Sequence, residues 1–176
     1  MLRLLVSALI LLAAPAWAGP ATRAAALSGD GAWRAVLEAP DRLVIRATGD
    51  GHVGAVFTAK TRAGAPARFE GVYTDPTRRQ FVVPLLDAPE YWLIATDPEA
   101  PPVYEGLVHS YEAGMIEALP SSEGLFARRR VMLAAPIGRL AFSPDFREMT
   151  GLTADGSARV TINLYVNREI ARQPAQ

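Results

Sequence analysis

Two places in this 176-residue chain hold side chains that could do chemistry, and both lie in its second half. The first is His109, followed two residues later by Tyr111; a neutral imidazole binds metals and moves protons near neutral pH. The plainer alternative for His109 is a turn histidine held by hydrogen bonds. The second is the run Arg128, Arg129, Arg130, whose planar guanidiniums can grip carboxylates through paired hydrogen bonds. In an extended strand alternate side chains point to opposite faces, so either Arg128 with Arg130 or Arg129 alone meets any one ligand. The alternative is a solvated strand edge, where charge discourages aggregation. His52, the other histidine, follows a hairpin turn and reads as exposed.

Other reactive patterns are missing. Ser28 and Ser143 lie in turns without the strand-to-helix elbow that exposes a hydrolase nucleophile. The carboxylates are scattered among turns, and no pair stands out for acid and base work. The Gly49, Asp50, Gly51 turn leads to a strand and not to a helix, so it is no phosphate cradle. No His or Asp cluster has metal spacing, and the absence of cysteine removes thiolate sites, disulfides and covalent haem attachment. Acidic and basic residues number 18 each, which leaves no basic field to gather nucleic acid.

The elements that must position the histidine and the arginines are short apolar runs separated by Gly, Pro, Asp and Asn, a β pattern. A first unit has strands at 24–27, 33–39, 43–48 and 53–59, with hairpin turns at 28–31 and 49–51, where Gly and Asp supply positive φ. A second unit has strands at 68–73, 81–86 and 91–96 with turns at 74–77 and 87–90. A third has strands at 140–142, 148–153 and 159–166. Pro84 falls inside a predicted strand and, lacking an N–H, points to an edge or a bulge. Tyr91, Trp92 and Trp33 read as core or inter-blade packing.

Three antiparallel four-stranded units of similar turn order match β-propeller blades; an all-β sandwich is the alternative. The fold class is therefore all-β, a partial propeller of about three blades. Closed rings typically hold four to eight blades, so another chain supplying the missing blades, or self-association, is expected. Residues 101–130, between the second and third units, make a connection longer than blades need, and loops of that length are commonly functional or disordered.

Ahead of these blades, residues 1–18 read as a cleavable secretory signal. Arg3 leads into an apolar run over 4–13, and Ala16, Trp17, Ala18 form a signal-peptidase pattern with cleavage before Gly19. Pro15 interrupts the run well short of the roughly 20 residues a spanning helix needs. The expected mature chain, 19–176, is one periplasmic or secreted domain without a membrane anchor.

Several stretches resemble the haem-d1-type propellers, a family that includes the d1 domain of cytochrome cd1 nitrite reductase and periplasmic proteins that assist haem d1 assembly. Arg78, Phe81, Val83, Leu85, Asp87, Pro89, Glu90 and Trp92 follow its spacing within 71–92. Gly106, Val108 and His109 are similar to a second segment, Arg129 and Arg130 with Phe142, Pro144, Asp145 and Phe146 to a third, and 162–171 to a fourth; together they cover 24–171.

The resemblance implies a modified tetrapyrrole, haem d1 or a relative, lying across the ring's central channel. It makes His109 a candidate axial ligand or proton shuttle, with Tyr111 beside it, and makes Arg128, Arg129 and Arg130 candidate partners of the ring's carboxylates. The reductase's distal histidines have no counterpart: the matching regions read Thr74, Asp75, Pro76 and Gly138, Arg139, Leu140. Proton delivery to nitrite needs donors within hydrogen-bond reach, so the chain alone is not expected to reduce nitrite. The expected role is binding, assembly or delivery of the tetrapyrrole. Alternatives are a cofactor-free propeller segment for protein contacts and a truncated, non-functional remnant.

Overall fold

Short turns built on Ser or Thr and Asp decide where the strands reverse. Ser28 Oγ donates to Asp30 Oδ1 at 2.5 Å, Ser143 Oγ to Asp145 Oδ1 at 2.7 Å and Thr153 Oγ1 to Asp155 Oδ1 at 2.5 Å. The same aspartate oxygen accepts the backbone N–H two residues on, from Ala32, Arg147 and Ser157; Asp50 does so for His52. These are Asx turns, in which a side chain stands in for a backbone acceptor. Gly31, Gly51 and Gly156 then take positive φ, and Phe146 takes it at the matching place in the third unit.

The computed structural model describes residues 24–104 and 121–175. The expected signal, 1–18, lies outside them, as do His109 and Tyr111. The described residues form strands and turns without a helix, so among them no helix is long and apolar enough to cross a membrane.

Twelve strands make three antiparallel sheets of four, each in simple sequential order. Blade 1 holds β1 (Ala25–Leu27), β2 (Trp33–Ala39), β3 (Arg42–Ala47) and β4 (Val53–Thr58). Blade 2 holds β5 (Tyr73–Asp75), β6 (Gln80–Pro84), β7 (Glu90–Ala95) and β8 (Arg128–Met132). Blade 3 holds β9 (Ile137–Phe142), β10 (Glu148–Thr153), β11 (Ala158–Asn163) and β12 (Arg168–Pro174). The first strands adjoin one another: Thr74 Oγ1 donates to Leu27 O, and Leu140 N donates to Tyr73 OH at 3.3 Å. That is the arrangement around a propeller axis, and it excludes the sandwich.

Blade 1 matches the sequence reading closely, whereas blade 2 corrects it. Its first strand is 73–75 and not 68–73, because the Asp75 carboxylate stays buried to accept from Arg78 N at 3.1 Å and so delays the turn. Its fourth strand is β8, so residues 96–127 connect two strands of one blade and do not link blades. Pro84 closes β6, opposite Tyr91. On its other side the pairing passes from Tyr73 with Val82 to an isolated bridge of Phe69 with Leu85, so residues 70–72 stand opposite 83–84 and the proline sits at the irregularity expected for a residue without an N–H. In blade 3 the first strand begins at Ile137, and β12 supplies a fourth strand beyond 159–166.

Two apolar clusters hold the blades together. Leu43 and Ile45 of blade 1 pack with Phe81, Val83, Trp92 and Ile94 of blade 2. On the other side Val82, Tyr91, Leu93 and Val131 of blade 2 pack with Leu140, Met149, Val160 and Ile162 of blade 3. Blade 2 is thus covered on both faces, which is why β6 and β7 read as continuous apolar runs and not as alternating ones. The outer faces differ. Arg34 stands opposite Arg46 in blade 1, where Glu38 pairs with Arg46 at 2.8 Å and Arg42 at 3.4 Å; Thr150 stands opposite Thr161 in blade 3. Opposed residues share a face, so the side of blade 1 turned away from blade 2 mixes these charged groups with the row Val36, Val44 and Val56, of which Val56 is 46% exposed.

The Asx turns also set the acid limit of the fold. Hydrogen bonds from Ser28, Ser143 and Thr153 hold the carboxyls of Asp30, Asp145 and Asp155 below the usual carboxylate range, and the His52 amide does the same for Asp50. Asp155 is pushed down to about 2. A depressed carboxyl contributes stability above its unfolded pKa and loses it as pH falls through the folded value. The urea midpoint should therefore hold down to about pH 4 and then fall steadily, and Asp155→Asn should flatten the lowest part of that fall. A midpoint constant through the acid range in the parent chain would count against this role.

Candidate functional site

The most chemically suited opening lies where the chain runs into β5 and β9. It is a cleft of about 490 Å³ whose apolar lining comes from Phe69, Leu86, Ile137 and Leu152, with Glu70, Arg139 and the β10–β11 turn at 153–156 completing it. Its shape follows from a bulge in β9. The pairing of β9 with β10 shifts between Thr150 and Leu152, so that Arg139 and Leu140 together face the single residue Gly151. A Cβ on Gly151 would sit 2.9 Å from Leu140 Cδ2, and one on Gly138 would sit 2.8 Å from Glu70 Cγ. A side chain at either place would therefore force Leu140 or Glu70 to move.

Glu70 pins the bulge. Its Oε1 accepts from Arg139 N at 2.9 Å and its Oε2 from Tyr73 OH at 3.0 Å. Arg139 is forced to φ +53°, a left-handed conformation that costs a non-glycine residue roughly 1–2 kcal/mol. Its side chain is exposed, and among the described residues it makes no ion pair or side-chain hydrogen bond. A residue held in a disfavoured conformation beside a cleft motivates a functional reading. Across the opening, Asp155 is a fixed anion whose oxygens are taken by Thr153 and Ser157. The cleft therefore offers apolar walls and one unpaired cation, suited to the edge of a flat apolar molecule with an acidic substituent.

The residues singled out in the sequence fall elsewhere. His109 and Tyr111 are outside the described residues. Trp92 stands opposite Arg130, Ile94 opposite Arg128 and Leu93 opposite Arg129, so Arg128 and Arg130 share the blade-1 side of β8. Both stack on the indole of Trp92, with guanidinium carbons 4.6 and 4.8 Å from a ring centroid. Arg130 also binds Glu90 Oε1 at 2.7 Å and Lys60 O at 2.8 Å. Arg129 faces the blade-3 side and is exposed. His52 is held by Asp50 at 2.7 Å and lies edge-on to Trp33, in blade 1, away from the cleft. Among the described residues no cluster of His, Cys, Asp and Glu could hold a metal ion. Arg139 was not among the site residues singled out in the sequence; the one local signal was the glycine before it.

Comparison with known proteins gives this geometry a family context. No protein-family model matches the chain. Over 159 residues, 89% of its length, the chain is 29% identical to dihydro-heme d1 dehydrogenase of Pseudomonas aeruginosa. The solved structure of dihydro-heme d1 dehydrogenase NirN in complex with DHE superposes on 90% of the chain with a TM-score of 0.68 and 27% identity. The chain is homologous to part of a d1-type propeller. It spans 27% of the curated d1 relative and 29% of the solved d1 chain. The Cps50 (Swd1) β-propeller domain of Myceliophteria thermophila matches 87% of the chain and 43% of its own length, at TM-score 0.51 and 10% identity, which supports the fold alone. The haem-d1-type kinship read from the sequence stands, as does the partial propeller.

Proposed function

We propose that this d1-related arc of blades binds the edge of a modified tetrapyrrole in the cleft beside Arg139, in pigment binding, assembly or delivery. The observation that carries the reading is Arg139 itself: an unpaired guanidinium, set by a bulge at a conformational cost, over walls of Phe69, Leu86, Ile137 and Leu152. These residues fit such a ring. The apolar walls accept its face, and the guanidinium accepts a carboxylate through paired hydrogen bonds. The d1 relative was solved in complex with DHE, which supports the same class of ligand. A bound tetrapyrrole would supply redox and metal chemistry; the chain's own part is to orient the ring and shield one edge from water. In this reading the guanidinium of Arg139 holds an anionic substituent of the ring and so fixes its orientation.

The signal-like pattern over 1–18 supports a periplasmic or secreted location. Further blades from another chain, or a second copy, would extend the arc toward a ring, and light scattering of the mature protein reads this directly.

Titration of the purified protein with haem d1 or a related porphyrin, followed by absorption, tests the site. A saturable spectral change is expected. Arg139→Gly should weaken it about tenfold or more, the loss of one charge-assisted contact. The same substitution should raise stability by about 1 kcal/mol, because glycine adopts left-handed φ freely. Unchanged affinity in Arg139→Gly, or no spectral change in the parent, would overturn the proposal.

A further inference from the structure

A second cleft lies at the opposite end of β6, and its chemistry is independent of the pigment reading. It measures about 260 Å³, and its polar lining is Arg78, Gln80, Arg129, Tyr165 and Asn167, over an apolar floor that includes Leu93. Among the described residues no carboxylate lines it.

Two guanidiniums converge there for different reasons. Arg78 is fixed from behind: its Nη1 donates to Asp75 Oδ2 at 3.0 Å and to Phe146 O at 2.7 Å, and its Cζ lies 4.5 Å from the Tyr165 ring centroid. The Asp75 carboxylate is wholly buried and is shared with Arg78 N and Gln80 Nε2. Arg78 Nη2 is buried without an acceptor among the described residues. A buried donor left unmet costs about 1–3 kcal/mol, so each such group calls for an explanation. Arg129 arrives by the alternation of β8, which sends Arg128 and Arg130 to Trp92 and Arg129 to the Leu93 side. It is exposed and makes no ion pair among the described residues. Asn167, at φ +51°, takes Tyr91 OH on its Oδ1 at 3.2 Å, which leaves its amide N–H groups to donate.

We infer that this cleft is a binding site for a small oxyanion, a carboxylate or phosphate group, held by Arg129 with Arg78 and Asn167. A cleft about half the volume of the first suits a small acid and not a tetrapyrrole. The ligand's oxygens would meet Arg129 as a bidentate partner and supply the acceptor that Arg78 Nη2 lacks; an apolar tail would lie toward Leu93.

Nuclear magnetic resonance titration of the full chain with inorganic phosphate, and separately with acetate, tests this. Saturable shifts are expected at the side chains of Arg78 and Arg129 and at Asn167, with whichever anion binds more tightly naming the source. Arg129→Gln, a change at an exposed position, should weaken the response about tenfold or more and leave the fold intact by the amide spectrum. Arg139→Gly should leave it unaltered. Shifts that are equal at exposed arginines such as Arg34 and Arg42, or that survive in Arg129→Gln, would overturn the inference.

Discussion

Trp92→Ala should cost about 3–5 kcal/mol of folding free energy, the range for a buried large aromatic replaced by alanine. Trp92 is wholly buried at the junction of blades 1 and 2. Phe69 and Phe57 meet its ring edge-on at 5.2 and 6.4 Å, and its Nε1–H donates to Glu90 Oε1 at 3.2 Å. Both Arg128 and Arg130 stack on it. Truncation therefore opens a cavity and strips two guanidiniums of their aromatic partner at once. Equilibrium urea unfolding monitored by circular dichroism measures the loss, and Trp92→Phe should retain most of the packing. A loss below about 1 kcal/mol for Trp92→Ala, the size of an ordinary substitution, would mean that blade 2 is not clamped through this ring.

Arg130→Ala should be comparably severe, about 3–5 kcal/mol, because it leaves a buried carboxylate without its counter-ion. Glu90 is 1% exposed, and the side chain of Arg130 is 12% exposed at a contact of 2.7 Å. Arg130 also ties β8 to the chain leaving blade 1 through Lys60 O. The charge explanation has its own control: adding Glu90→Gln to Arg130→Ala removes the stranded anion and should recover part of the loss. If the double variant is as unstable as the sum of the two single variants, the pair does not act through its charges.

The hairpins were legible because their chemistry is local. Ser-Gly-Asp-Gly at 28–31 and Ala-Asp-Gly at 154–156 carry the turn conformation in their own residues, and blade 1 follows directly. Strand β8 was not legible as the edge of blade 2. Its partner β7 precedes it by residues 96–127, and three successive arginines read as a solvated surface until pairing with Trp92 and Ile94 shows what two of them cover. Arg139 was hidden for the same reason. Its left-handed backbone depends on Gly151 across the sheet and on Glu70 from the previous blade connection, which no short window of sequence contains. Turn residues thus announce themselves, whereas a bulge that aims a side chain is a tertiary event.

The two apolar clusters lie on either side of blade 2, whereas the far face of blade 1 still exposes Val56 beside Arg34 and Arg46. A repeat unit buries its face against a neighbour, so that mixed face is where the proposed further blade or second copy would sit.

The most direct measurement is the crystal structure of the protein soaked with haem d1 or a related porphyrin. The ring is expected between Phe69, Leu86 and Leu152, with an acidic substituent on the guanidinium of Arg139. A ring bound instead on the outward face of either terminal blade, or Arg139 turned away from an occupied cleft, would contradict it.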